Sequence, residues 1–195
     1  MTIAVFLDRD GTLNVEKGYM RNVDDVELIP GVAQAVRRLN DAGILAIMAT
    51  NQTGAARGFY DIEHVHALNN RVAQLLNEQA GAHLDAIFCC PHLAKGTVTE
   101  YAIDCDCRKP EPGMIQEAVR QFPEIDLAKS YMLGDKASDV AFAHKAGCQS
   151  VLLKTGYGDR VLAGKYQVLE EQPQFVCDDM PQAVDLILNR VGLAV

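Results

Sequence analysis

No apolar run in the 195-residue sequence approaches the ~18 residues of a membrane span. Met1 to Leu7 turns acidic at Asp8, with no basic leader and no cleavage site, so the expected compartment is the cytoplasm and no membrane partner is expected. Positive charge is scarce: 18 Lys and Arg stand against 26 Asp and Glu, a net charge of −8. Non-specific nucleic-acid binding depends on Lys and Arg set against phosphates, so the chain is a poor candidate for it and no nucleic-acid partner is expected, while a small local cationic site is not excluded. Internal repeats, low-complexity segments and linkers are absent, and the length suits one domain over residues 1–195. No helical segment carries a second long apolar stripe, so a monomer is expected.

Apolar residues make up 49% of the chain, enough for a buried core. Ile3 to Leu7 is a continuous apolar run, as in a strand covered on both faces. Further buried strands are expected at Ile44–Ala49, Ala86–Phe88, Tyr131–Leu133 and Ser150–Leu153. Helices alternate with them. One follows Pro30-Gly31 and ends at Gly43. A long one is capped by Asp61 and runs to about Gln79, with Val65, Leu68, Val72, Leu75 and Leu76 as its stripe. Others follow Pro112-Gly113, run from about Ala137 to Ala146, and end near Arg190. The class is α/β, a Rossmann-like, mainly parallel sheet flanked by helices.

Three strands stop at a polar residue: Asp8, Thr50 and Asp135. In an open parallel sheet those ends share one edge, where ligands bind. Asp8-Arg9-Asp10-Gly11-Thr12 is the densest stop. Its two aspartates point the same way in extended chain, and Gly11 permits a sharp turn. Neighbouring carboxylates repel unless a cation or proton intervenes, so a metal with a nucleophile and an acid/base fits them. A polar turn capped by Asp8 fits the same five residues.

Asp-x-Asp-Gly-Thr after an apolar strand resembles the first motif of the haloacid dehalogenase superfamily. Thr50-Asn51, Lys109 in Arg108-Lys109-Pro110, and Gly134-Asp135-Lys136 with Asp139 resemble the other three motifs, in order. The resemblance implies phosphoryl transfer, which needs mainly positioning and charge neutralisation. Asp8 would be the nucleophile and Asp10 the general acid and base. Mg²⁺ would be held by the carboxylates of Asp8 and Asp135 and the carbonyl of Asp10, all hard oxygens. Thr50 would offer a hydroxyl and Asn51 an N–H to the phosphoryl group, and Lys109 a stabilising charge. Asp139 would either orient the site or simply belong to the following helix.

Cys90-Pro91-His92 and Cys105-Asp106-Cys107 form a C-x-H and C-x-C pair separated by twelve residues. Three thiolates and an imidazole suit tetrahedral Zn²⁺, and buried free thiols are the alternative. A closed Cys₃His set has no open position, so its role would be structural: pinning the loop 89–108 that ends at Arg108 and Lys109. Cys89 falls outside the spacing, and Cys148 and Cys177 are expected in the core. His64, His66, His83 and His144 are expected to be structural or on the surface.

Only 39 residues separate Asp10 from Thr50, leaving no room for a large cap domain. Within the superfamily the chain is similar to the heptose bisphosphate phosphatases. The shared residues are the two cysteine arms, Gly18-Tyr19, Thr50 to Gln52, Gly54 and Ala56 to Gly58. It departs from their commonest form at Val15 to Lys17 and Leu93 to Lys95. The similarity implies removal of the 7-phosphate from a heptose 1,7-bisphosphate through an aspartyl-phosphate, on the way to nucleotide-activated heptose for lipopolysaccharide. Thr50, Asn51, Gln52, Arg108, Lys109 and Lys136 would contact substrate, with Gly18 and Tyr19 nearby and Arg108 facing the second phosphate. Histidinol-phosphate phosphatases share the four motifs and the zinc arms. A phosphotransferase, or a non-catalytic zinc-stabilised binding module on the same fold, are the readings from other classes.

Overall fold

The computed structural model describes residues 1–193. Six strands, β1 (Ala4–Leu7), β2 (Leu45–Asn51), β3 (Ala86–Cys90), β4 (Tyr131–Gly134), β5 (Gln149–Leu153) and β6 (Phe175–Cys177), form one sheet. Its order is β3-β2-β1-β4-β5-β6, and every pairing is parallel. Chain order reverses beside β1: the chain moves outward through β2 to β3, then returns to β4 on the other flank of β1. The strand ends around β1 therefore open onto the crevice where doubly wound sheets bind ligands.

Helices α1 (Val32–Asp41), α2 (Ile62–Ala80), α3 (Gly113–Gln121), α4 (Ala137–Ala146), α5 (Gly158–Leu162) and α6 (Met180–Arg190) connect the strands. Alternate residues of β1 supply both cores. Val5 and Leu7 pack with Val36 and Leu39 of α1, Leu68 and Leu76 of α2, and Val184 and Ile187 of α6. Ala4 and Phe6 pack on the opposite face with Ile115 and Ala118 of α3 and Phe142 and Ala143 of α4. Burial on both faces is why the strand reads as unbroken apolar sequence. Asp61 caps α2, its Oδ1 accepting the His64 N–H at 2.8 Å, and Gly81 ends it at φ +61°. No described helix is long and apolar enough to cross a membrane.

Two strands run two residues beyond their expected ends. β2 continues through Thr50 and Asn51, and β3 through Cys89 and Cys90, because these four residues pair with one another. The ladder thus carries the end of β2 to the first cysteine arm. β6 and α5 were not expected. Three residues are too few for a period-2 pattern, and five for a helical stripe.

Gly11 (φ +83°) and Gly156 (φ +55°) lie against Asp135. A Cβ on either would fall 2.2 or 2.1 Å, respectively, from Asp135 Oδ2. Gly156→Ala is expected to cost about 2–4 kcal/mol, combining left-handed strain with displacement of a buried carboxylate. Thermal unfolding measures that loss. An alanine variant as stable as the parent would show that Asp135 is not held by this packing.

Candidate active site

The loops after β1, β2, β3, β4 and β5 enclose a cavity of about 310 Å³. Asp8, Asp10, Gly18, Tyr19, Asn51, Gln52, Arg108, Lys109 and Lys136, all expected at the site, line it. Asp135 and Thr50 are buried beneath. The dispersed motifs therefore converge on the C-terminal edge of the sheet.

Lys109 is 3% exposed, and its Nζ bridges Asp8 Oδ1 at 2.9 Å and Asp139 Oδ1 at 2.7 Å. Burial opposes the ammonium charge, but the carboxylates of Asp139 and Asp8 outweigh it and raise the lysine pKa. Burial likewise pushes against the Asp8 charge, yet Lys109 and Lys136 hold this carboxyl below the usual range. Asp139 combines the two roles expected separately. Its Oδ2 accepts the Lys136 backbone N–H at 3.0 Å in the first turn of α4, while Oδ1 holds Lys109. The Asn51 amide clasps the Lys109 backbone from β2: Nδ2 donates to Lys109 O and Oδ1 accepts from Lys109 N, each at 3.0 Å.

Oxygen donors gather around a single point. Lys136 Nζ stands 3.3 Å from Asp135 Oδ1, 3.6 Å from Asp8 Oδ2 and 3.4 Å from the Asp10 carbonyl oxygen. These are the three atoms expected to hold Mg²⁺. Asp135 Oδ1 is fully buried and accepts no hydrogen bond. Burial, reinforced by Asp8 and Asp139, pushes its pKa up to about 7 despite Lys136 and the Tyr157 N–H. An all-oxygen cluster with an unsatisfied buried carboxylate oxygen fits a hard divalent cation.

Gln52 makes three hydrogen bonds within the site. Its Oε1 accepts from Arg9, and its two N–H groups go to Asp10 Oδ2 at 2.8 Å and Thr50 Oγ1 at 3.0 Å. The amide thus ties Asp10 to Thr50 while it lines the cavity.

An arginine and three tyrosines outside the motif residues also line the cavity. Arg57 lies over the Tyr19 ring at 6.0 Å, and Tyr60 sits nearby. Tyr157 and Tyr166 form a parallel stack, centroids 4.2 Å apart, on the Lys136 side. Arg57 belongs to the Ala56 to Gly58 stretch shared with the heptose bisphosphate phosphatases, whereas no motif marks the tyrosines.

Cys90, His92, Cys105 and Cys107 meet beside the cavity. Sulfur separations are 3.1, 3.3 and 3.5 Å, and His92 Nδ1 is 3.4 Å from Cys107 and 3.7 Å from Cys90. A tetrahedron built on Zn–S bonds of about 2.3 Å has edges of about 3.8 Å, so the four donors sit close to ligand spacing. Arg108, the next residue, donates from Nη1 to His92 O at 3.1 Å. Cys148 and Cys177 are buried, as expected. His64 bonds Met20 O, and His144 bonds Glu171 and Ser150.

A parallel sheet with paired aspartates after β1, a third after β4 and a buried lysine between them defines a haloacid dehalogenase-like hydrolase. A HAD-hydrolase-like family model matches residues 106–183. The D-glycero-D-manno-heptose-1,7-bisphosphate 7-phosphatase of Thermosynechococcus vestitus is 51% identical over 192 residues, covering 97% of each chain. The D-glycero-beta-D-manno-heptose-1,7-bisphosphate 7-phosphatase of Haemophilus ducreyi is 46% identical over 78% of this chain and 84% of its own. The crystal structure of D,D-heptose 1,7-bisphosphate phosphatase from B. bronchiseptica, complexed with magnesium and phosphate, superposes with a TM-score of 0.83. It is 34% identical, covering 97% of this chain and 99% of that one. The chain belongs to the heptose 1,7-bisphosphate 7-phosphatase family of the haloacid dehalogenase superfamily.

Proposed function

We propose that the chain hydrolyses the 7-phosphate of D-glycero-D-manno-heptose 1,7-bisphosphate. As a member of this family it is a phosphoric monoester hydrolase. The observation that carries the substrate reading is the pairing of the cavity's cations. Lys109 and Lys136 are matched by site carboxylates. Arg57 and Arg108 line the same cavity and have no carboxylate partner among the described residues. Two unpaired guanidiniums suit a second phosphate, which they can grip bidentately. They disfavour the ammonium group of histidinol phosphate.

Asp8 is the nucleophile. Its carboxylate oxygen bonds to phosphorus as the bond from phosphorus to the sugar oxygen breaks, and the Asp10 proton goes to that oxygen. Water then attacks the phosphorus of the aspartyl-phosphate, its proton goes to Asp10, and the bond to Asp8 breaks. Lys109, clamped between Asp8 and Asp139, supplies positive charge to the transferring group without having to reorganise. Asp8, Asp135 and the Asp10 carbonyl would hold Mg²⁺, which when bound neutralises phosphoryl charge. The cysteine and histidine set would hold Zn²⁺ as a staple behind Arg108.

Arg57→Ala and Arg108→Ala are each expected to raise KM for the bisphosphate by about 10- to 100-fold. That corresponds to the loss of one charge-assisted contact. Turnover of a simple phosphate monoester should change little. Steady-state phosphate release on both substrates measures this. Equal losses on the two would remove the second-phosphate assignment, and a higher kcat/KM for histidinol phosphate would replace the substrate.

A further inference from the structure

Arg9 separates the two aspartates of the first motif, and nothing above gives it a role. Its side chain is among the largest fully buried ones, at 1% exposure, and it does not line the cavity. Yet its guanidinium makes four hydrogen bonds in one place. Nε donates to Asp10 Oδ1 at 3.2 Å and Nη2 to Asp10 Oδ2 at 2.9 Å, a fork across both carboxylate oxygens. Nη2 also donates to Gln52 Oε1, and Nη1 to Asn69 Oδ1 on α2, each at 2.8 Å. Asn14 and Gln52 also donate to Oδ1 and Oδ2 of Asp10, at 3.0 and 2.8 Å, so a proton on Asp10 takes the place of one of these neutral amide donors while the Arg9 fork stays.

Packing alone does not call for this arrangement. A buried guanidinium is costly unless its donors are matched, and an apolar side chain would fill the volume at lower cost. What the fork adds is orientation. A carboxylate on two rotatable bonds can turn its plane freely, and proton transfer depends on the alignment of donor with acceptor. The Asn69 contact fixes the fork in turn to a helix outside the catalytic loops.

We propose that Arg9 is a positioning residue that sets the plane of the Asp10 carboxylate, and so the direction from which the leaving oxygen is protonated. This rests on the reading of Asp10 as general acid and base.

The leaving group separates this role from a structural one. A sugar alkoxide needs a proton as it departs, whereas p-nitrophenolate leaves unaided. In the Mg²⁺- and Zn²⁺-loaded enzyme, Arg9→Met should lower kcat on the sugar bisphosphate by about 100-fold with KM within about threefold. With p-nitrophenyl phosphate it should give a rapid burst of p-nitrophenol near one per active site, because only the water step then needs Asp10. Arg9→Lys should restore part of the rate. Asn69→Ala, which leaves Asp10 and Arg9 in place, should show the same pattern at about fivefold, and it keeps the test open if Arg9→Met fails to fold.

Equal losses on the two substrates without a burst, in the folded Arg9 and Asn69 variants, would overturn the proposal. Asp10→Asn is the control on the underlying reading. If it shows leaving-group dependence and the Arg9 and Asn69 variants do not, only the positioning role fails. If Asp10→Asn shows none, the acid/base reading fails first.

Discussion

Asp8→Asn is expected to lower kcat by at least about 10⁴-fold while leaving the chain folded, the scale seen when a covalent nucleophile is removed. The carboxamide matches the carboxylate in shape but cannot form the acyl-phosphate. Three features keep the variant folded. Lys109 retains its 2.7 Å contact to Asp139, and Asn51 still clasps its backbone. Removing one negative charge relieves Asp135, whose carboxyl Asp8 helps to push up to about 7. Against this stands the lost stabilisation from Asp8, whose depressed pKa makes its charged form favourable in the fold. That contribution is present above the ordinary carboxylate value and disappears as pH falls through the lowered one. The opposing changes leave Tm within about 5 °C. Phosphate release, thermal unfolding and the intact mass of acid-quenched enzyme check the three parts. The wild type should carry one phosphoryl adduct during turnover and the variant none. A variant retaining a tenth of the activity would move the nucleophile elsewhere.

The chemistry of the site was legible wherever a local pattern expressed it. Asp8, Asp10 and Gly11 follow an apolar strand, Thr50 and Asp135 end two others, and all meet at one edge. The cysteine arms were legible because metal ligands come in close pairs. What escaped depends on partners distant in sequence. Arg9 reads as the spacer in Asp-x-Asp, and its bond to Asn69 spans 60 positions. Asn69 lies on the buried side of α2, where the stripe calls for an apolar residue. Only the fold shows that it receives a guanidinium. Gln52 reads as a free amide until both its protons are traced to Thr50 and Asp10. Asp139 carries two roles because a first-turn helix position and a lysine bridge use different oxygens. The Tyr157 and Tyr166 wall depends on α5, too short to leave a period in the sequence.

Replacing Cys107 by Ser is expected to abolish the proposed zinc binding and lower stability by about 3 kcal/mol or more. That figure is well below the 10–16 kcal/mol of isolated zinc fingers, because the rest of the fold persists. For a chain of this length it corresponds to a fall in Tm of about 6–12 °C. The catalytic consequence should be unequal. Lys109 is held independently of the loop, by Asn51 from β2 and by Asp8 and Asp139 at its ammonium. Arg108 has no such support among the described residues: its side chain donates to the carbonyl of His92, itself a member of the cluster. Loosening the cluster therefore frees Arg108 first. KM for the bisphosphate should rise by about tenfold or more, the loss of one charge-assisted grip, while kcat falls only a few-fold. Metal content by mass spectrometry, thermal unfolding and steady-state kinetics on the bisphosphate and on a simple monoester test this together. A folded, zinc-free variant with an unchanged KM would separate the cluster from substrate recognition. A collapse of kcat with KM intact would show that the staple acts on Lys109 instead.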